Sequence, residues 1–298
     1  MLSLINRGFL YVPKVIAAVS RGTQMSQFGL KAKYYQQFDA DYNLDVPAEG
    51  YGGWQEAEIP LDTTHTALVI MHAYHGGENN DFPGWYRAVE YLPRANKIAA
   101  DILPGLLSSA RIAGIKVYHV VGNGAYYRGL KGYKQLAALS PPPSTYDTIT
   151  ENPNLEALKA FRDAHVFLGN HNKADVTSGF EKTDFYPAAR PAPGEAIAAD
   201  SSQLFTACSN DKIGHLLYAG FAINWCLLHS PGGMLDMRRH GLMCSAFEQT
   251  VTAVENKESA RDELHKEEAL WRVALEFGYV LDVDNFITAC LRLQKASS

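Results

Sequence analysis

Short, continuously apolar segments alternate with helical stretches along most of this sequence, and this alternation constrains the fold more than any other feature. Continuous apolar runs are typical of strands that are covered on both faces, and strands that alternate with helices form βαβ units. The pattern therefore predicts one α/β domain with a mostly parallel sheet and helices on both faces. The segments predicted to be its main strands are TALVIM (66–71), IKVYHVV (115–121), EAIAA (195–199), HLLYAGF (215–221) and LMCSAF (242–247).

Helical patterns fill the spaces between these strands. The longest runs over 86–113, where Pro93 and Pro104 are expected to kink or interrupt it. Ser201 or Ser202 is expected to cap the helix that ends near Lys212. Further helices are predicted over 154–164, from Cys226 onward, over 258–277 and over 284–293, and HVFLG (165–169) is a candidate strand.

The first 62 residues lack sustained periodicity and are interpreted as an N-terminal extension, followed by one domain over 63–298. The extension is rich in aromatic residues around YYQQFDADY, which need burial against the domain or a partner chain. Its apolar beginning is broken by Arg7, Pro13 and Lys14, and this predicts a surface arm rather than a signal segment.

Composition excludes several classes of protein. Lys and Arg number 27 against 32 Asp and Glu, so the net charge of −5 gives no broad basic surface for nucleic acid. No apolar run reaches the roughly 18 residues that a membrane-spanning helix needs. The four cysteines show neither CxxC pairs nor the spacing of a disulfide scaffold, so a reducing, cytoplasmic location is expected.

Cys226 is the residue that most suggests chemistry. In open parallel sheets, ligands bind outside the carboxyl ends of the strands, which here end near Met71, Ala199 and Phe221. Cys226 follows the third of these ends and falls in the first turn of the next helix. Helix N-termini lower the pKa of a thiol, and their free amides bind anions, so Cys226 is a candidate nucleophile. The alternative is that Cys226 is a small buried apolar residue.

The segment GFAINWC (220–226) resembles the G-x-x-T-x-x-C nucleophile loop of the isochorismatase-like cysteine hydrolases, which include nicotinamidases and N-carbamoylsarcosine amidases. TALVIM, SSARIAGIKVYHV (108–120) and PAPGEAIAADSSQLF (191–205) resemble further motifs of that family in the same order. The resemblance covers about residues 64–293. It implies a three-layer α/β/α sandwich, an Asp, Lys and Cys catalytic set, and a cis peptide bond that would here join Ala222 and Ile223. It also implies a homo-oligomer.

Two of the three catalytic positions of that family are changed here. Met71 stands where the family has Asp, and Ala199 stands where it has Lys. A histidine could replace the missing base, because Cys–His pairs activate nucleophiles in other enzymes. His72 is the first choice for this base. Met71, Ala199, Ala222, Ile223 and Trp225 are predicted to line the substrate site, and His75, Glu78, Asp81, Asp200, His119 and His229 are further candidate polar residues.

The sequence therefore predicts a cysteine-dependent hydrolase of a small amide-like molecule, in which Cys226 attacks and the amides from Ile223 to Cys226 hold the oxyanion. The alternative is a catalytically inactive homologue that binds a small molecule or a protein. The pair His72-x-x-His75 lacks an acidic third ligand, and the glycines lack dinucleotide-binding spacing, so no metal and no cofactor are predicted.

Overall fold

The computed structural model describes residues 26–143 and 145–297, so the surface arm predicted for the apolar beginning of the chain lies outside the described residues. The strands are β1 (Gln27–Gln36), β2 (Gly53–Asp62), β3 (Thr66–Met71), β4 (Tyr74–His75), β5 (Lys116–Val120), β6 (Asp184–Phe185), β7 (Ala196–Ala198), β8 (His215–Gly220), β9 (Met243–Val251) and β10 (Val280–Leu281). Eight of them form one sheet in the order β2-β1-β10-β9-β8-β3-β5-β7, and β4 pairs with β6 separately.

Helices cover both faces of this sheet. They are α1 (Pro83–Ala88), α2 (Leu92–Asp101), α3 (Leu103–Ile112), α4 (Lys131–Leu139), α5 (Pro153–His165), α6 (Lys173–Glu181), α7 (Ser201–Asp211), α8 (Met234–Arg239), α9 (Leu264–Arg272) and α10 (Val283–Ser297). Two wide helical turns, Ile223–Leu227 and Val273–Phe277, complete the helical structure.

The predicted α/β fold with a mostly parallel sheet is confirmed. β3 pairs in parallel with β5 and β8, and the ladder continues in parallel to β7 on one side and β10 on the other. Every residue of β3 is buried, and its side chains alternate between two cores. Val69 and Met71 face the core under α7, α8 and α9, whereas Leu68 and Ile70 face the core under α2, α3 and α10.

The sequence analysis missed the first two strands. β1 and β2 form an antiparallel hairpin that joins the main sheet through β10, with Ala32 opposite Leu281. The signal was present, because β2 alternates exposed residues such as Trp54 and Glu56 with less exposed ones. β2 is the outer edge of the sheet. The division of the chain at residues 62 and 63 stays a prediction.

The predicted long helix is interrupted where expected, since α2 and α3 each have a proline in their first turn. The predicted strand over 165–169 is wrong, because α5 extends to His165 and a turn follows. Asp200, rather than a serine, caps α7 by accepting the Gln203 amide at 2.8 Å. The helix predicted from residue 258 begins at Leu264.

The helix predicted from Cys226 onward is also interrupted. A single wide turn at Ile223–Leu227 contains Cys226, and α8 begins only at Met234. Between them Pro231 precedes Gly232, whose φ of +80° is incompatible with a continuous right-handed helix.

All four cysteines are free thiols, and only Cys226 is not fully buried. None of the helices in the described ranges combines the length and the apolar character that crossing a membrane requires.

Candidate active site

A cavity of about 400 Å³ lies at the carboxyl end of the central strands. Segments that follow β3, β5 and β8 contribute to its wall, together with α1, α2 and α6. Among the described residues that line it, half are Phe, Tyr or Trp, and none is Lys, Arg, Asp or Glu. Tyr74, Trp85, Tyr91, Phe180, Tyr186 and Trp225 are among the aromatic residues.

His72 lines this cavity because the chain turns sharply after β3. Its φ is +53°, and its backbone amide donates to the Val120 carbonyl at 2.9 Å. On a regular strand the His72 side chain would point to the opposite face of the sheet from Met71. The left-handed conformation of His72 instead directs the chain out of the strand. The ring also requires Gly122, since a Cβ there would lie 2.9 Å from His72 Nε2.

The His72 ring is neutral at neutral pH. Burial lowers the pKa of its imidazole to about 4. Among the described residues no side chain or carbonyl makes a hydrogen bond with this ring. His72 is therefore a neutral base that is open to the cavity.

Cys226 lines the same cavity and is half-buried. Burial raises the pKa of its thiol, while the Ser230 hydroxyl and the Ala222 backbone lower it by hydrogen bonding. The net direction is the opposite of the lowering expected for a thiol at a helix N-terminus. The physical reason is that desolvation in an apolar cavity outweighs these two hydrogen bonds.

The amides predicted to hold an oxyanion are partly engaged elsewhere. The Ile223 amide donates to the Thr252 carbonyl at 2.7 Å, and the Trp225 amide donates to the Ala222 carbonyl at 3.3 Å. These two donors are therefore not free for a ligand. The cis peptide bond joins Phe221 and Ala222, one bond before the expected position at Ala222 and Ile223.

The cavity brings together three of the predicted site residues, namely His72, Trp225 and Cys226. Trp225 is 45% exposed at its mouth and contacts Phe167 edge to face.

The other four predicted site residues are not among the lining residues. Met71, Ala222 and Ile223 are fully buried in the core. Ala199 packs against a separate cluster, and its amide donates to Gln203 Oε1 at 2.8 Å. Met71, Ala222 and Ile223 therefore fill the interior, whereas Ala199 is half-buried.

The further polar candidates have partners of their own. His75 contacts Glu78 at 3.2 Å, and Asp81 accepts the Glu78 amide at 3.0 Å. His119 is held by Glu195, whereas His229 is exposed. Within the described ranges no three His, Cys, Asp or Glu side chains form a group that could hold a metal ion.

Sequence reasoning missed the tyrosines of the cavity. Tyr74 lies in β4, two residues after His72, and Tyr91 immediately precedes α2. Tyr186 donates a short hydrogen bond to Asn96 Oδ1, and Asn96 donates in turn to Tyr86 at 3.1 Å. The only signal in the sequence was the position of Tyr74 in a loop that follows a buried strand.

No protein-family model matches this sequence, and no curated protein matches it significantly. Solved structures of isochorismatase-like hydrolases do resemble the chain. A cysteine hydrolase from Pseudomonas syringae pv. phaseolicola is 17% identical, with 80% of this chain and 97% of that chain covered and a TM-score of 0.47. An N-carbamoylsarcosine amidase from Thermoplasma acidophilum is 12% identical, with 74% and 97% covered and a TM-score of 0.40.

The YcaC gene product from Escherichia coli, described as an octameric hydrolase of unknown specificity, is 11% identical. Its alignment covers 78% of this chain and 82% of that chain, with a TM-score of 0.40. Two of these neighbours, the cysteine hydrolase and the N-carbamoylsarcosine amidase, carry names of the superfamily that the sequence motifs resemble. At these identities the likeness gives neither a substrate nor the role of any residue.

Proposed function

We propose that this chain is a cysteine-dependent hydrolase of a small, uncharged, amide-like molecule. The observation that supports it is that the Cys226 thiol and the unpartnered His72 ring line one apolar cavity. A nucleophile and a neutral base on the wall of one cavity are the groups that nucleophilic catalysis requires.

The charge states of the two groups suggest how the reaction begins. A neutral thiol and a neutral imidazole line the cavity at pH 7, because burial shifts both pKa values against the charged forms. The proton passes from sulfur to His72 as the sulfur bonds to the carbonyl carbon. When the intermediate collapses, the leaving amine takes that proton. Water then hydrolyses the thioester, which returns the thiol and releases a carboxylic acid.

The substrate is uncharged because the lining offers no charged side chain to pair with it. Asn123 is the one lining residue with a side-chain amide. A volume of about 400 Å³ suits a molecule that carries one ring or a short alkyl chain.

The test is release of ammonia from benzamide, phenylacetamide and hexanamide. We expect wild-type protein to hydrolyse at least one of them, and we expect Cys226→Ser and His72→Asn to lose that activity. His72→Asn is the preferred variant because Asn tolerates the left-handed backbone at this position. Cys290→Ala, at a buried cysteine in the opposite core, is the matched control. Undiminished hydrolysis by Cys226→Ser would contradict the proposal.

The alternative is an inactive homologue that binds a small molecule or a protein. Two observations favour it: the family's carboxylate and amine positions hold Met71 and Ala199, and burial raises the pKa of Cys226. Calorimetry with the same amides separates the two functions. Binding without ammonia release would support the alternative.

We also propose a homo-oligomer, formed through α5. No residue of α5 is fully buried, and Leu158 and Phe161 are exposed on one side of it. If two copies of α5 pack antiparallel, Glu156 of each faces Arg162 of the other, so the charges are complementary. A monomeric mass by light scattering would contradict this proposal. The cytoplasmic location stays a prediction.

A further inference from the structure

Two phenol hydroxyls in the cavity have no partner in the protein. Tyr74 and Tyr91 both line the cavity that contains Cys226 and His72. Among the described residues neither hydroxyl makes a hydrogen bond, and neither oxygen is sealed from the cavity as a buried, unsatisfied atom would be. Burial of a polar group in an apolar cavity costs free energy unless the group makes a hydrogen bond. Each hydroxyl is therefore free to donate a hydrogen bond to an acceptor on a bound ligand.

Both hydroxyls lie within electrostatic reach of the thiol. The pKa of Tyr74 and the pKa of Tyr91 are raised by burial first, and further by the charge that Cys226 carries as a thiolate. Each phenol therefore stays protonated at neutral pH and remains a donor. Because Tyr74 and Tyr91 line the same cavity as Cys226, both O–H groups are available as donors to a ligand held there.

Tyr186 provides a contrast within the same cavity. Its hydroxyl donates to Asn96 Oδ1, so its proton is already engaged by the protein. Its ring forms part of the wall, 5.4 Å from the ring of His75. Of the three lining tyrosines, one has a hydroxyl that donates a hydrogen bond within the protein, and two have hydroxyls without such a bond among the described residues.

The reaction needs donors of this kind. Attack on an amide carbon moves the carbonyl π electrons onto oxygen, and donors aimed at that oxygen supply a large part of catalysis. The amides of Ile223 and Trp225, expected to serve here, donate to the carbonyls of Thr252 and Ala222. Two of the four amides expected to hold the oxyanion are therefore engaged within the protein, which leaves a role for other donors in the cavity.

We propose that the hydroxyls of Tyr74 and Tyr91 are the oxyanion donors of this site. The assignment rests on the proposed function. In the step concerned, the bond between sulfur and carbon forms, the carbonyl π bond breaks, the thiol proton passes to His72, and the new oxyanion accepts hydrogen bonds from both phenols. Collapse of the intermediate restores the carbonyl, expels the amine with that proton, and leaves both phenols protonated as before.

The test uses benzaldehyde, whose carbonyl carbon forms a reversible thiohemiacetal with a thiol. The thiol proton ends on the aldehyde oxygen, so no further reactant is needed. Loss of the aldehyde's ultraviolet absorbance gives the dissociation constant. We expect Tyr74→Phe and Tyr91→Phe each to weaken the adduct about tenfold, which corresponds to about 1.4 kcal/mol per lost hydrogen bond. On an amide that the enzyme turns over, each is expected to lower kcat about 100-fold or more with KM little changed.

Two controls separate chemistry from packing. Toluene has the same ring but no hydrogen-bond acceptor, so its binding is expected to be the same in wild type and in both Phe variants. Tyr126→Phe removes a hydroxyl from a ring that packs on Tyr74 at 6.2 Å but does not line the cavity, and it is expected to leave the adduct unchanged.

The outcomes distinguish the two proposals. An adduct that requires Cys226 but is indifferent to both Phe substitutions overturns the oxyanion assignment and leaves the hydrolase proposal intact. Absence of any adduct with the wild-type protein overturns both. Weaker binding of toluene by the Phe variants would mean that the hydroxyls only support the shape of the cavity, and would also overturn the assignment.

Discussion

Two buried histidines stand at the ends of neighbouring parallel strands, and their surroundings differ sharply. His119 in β5 donates from Nε2 to Glu195 at 2.9 Å, and Glu195 also accepts two N–H groups from Arg111 at 2.7 and 3.0 Å. His72, one residue after β3, has no such partner and lines the cavity beside Cys226. Burial lowers the pKa of both rings. What distinguishes the histidine that is free to react is therefore its lack of a partner rather than its burial.

The largest expected effect is on activity. His72→Asn should lower the rate of amide hydrolysis between about 100-fold and 10,000-fold, the range for loss of a general base. His119→Gln should leave the rate of the folded fraction close to that of wild type, because His119 belongs to a structural network. Initial rates normalised to folded protein measure both. A large loss of activity in His119→Gln but not in His72→Asn would contradict the assignment of His72 as the base.

Stability should show the opposite order. Glu195→Leu leaves the buried N–H of His119 and the Arg111 guanidinium without their acceptor, so the free energy of unfolding should fall by about 1–3 kcal/mol. His72→Asn should change it by less than about 0.5 kcal/mol, because no hydrogen bond is lost and Asn accepts the left-handed backbone. Urea denaturation measures both values. An equal decrease in the free energy of unfolding for the two variants would contradict the proposed difference between the partnered His119 and the unpartnered His72.

The pH dependence of stability should reveal the unpartnered ring. The pKa of His72 is about 4 in the folded chain against 6.5 in the unfolded chain, so the unfolded state binds more protons between these values. Stability is therefore fully present above pH 6.5 and is lost as the pH falls towards 4.

Burial lowers the pKa of His215 to about 4 as well, so part of this loss should remain in His72→Asn. Urea midpoints measured between pH 7 and 4 should fall less steeply in His72→Asn than in wild type. Replacement of the exposed His171 by Gln is the matched control and should follow the wild-type curve. Parallel curves for all three proteins would show that His72 does not titrate in this way.

The smallest effect concerns the thiol. Cys226 should react with iodoacetamide before the three buried cysteines, but slowly at pH 7, because burial raises its pKa above the ordinary value. Ser230→Ala removes a hydroxyl that stabilises the thiolate, so labelling at pH 8 should slow a few-fold. Peptide mass spectrometry resolves the labelling of each cysteine. Faster labelling in Ser230→Ala would contradict this role of the hydroxyl.

The parts that sequence predicts are those that depend on local pattern. The buried strands, the interruptions at Pro93 and Pro104, and the position of Cys226 after β8 all follow from composition and spacing. The set of residues that lines the cavity does not follow from composition and spacing, because the turn at His72 and the helix break before α2 determine which side chains lie close together. The pKa of Cys226 was predicted in the wrong direction, since desolvation depends on packing by distant segments.

The outer edge of the sheet affects how the protein behaves at high concentration. β2 exposes its backbone to a possible added strand, yet Pro60 has no N–H to offer, and Glu56 and Glu58 place negative charge along the same strand. A second copy that approached edge to edge would meet like charges and a missing donor. Pairing of a second copy edge to edge along β2 is therefore disfavoured, and in concentrated solution this edge resists growth of a continuous intermolecular sheet.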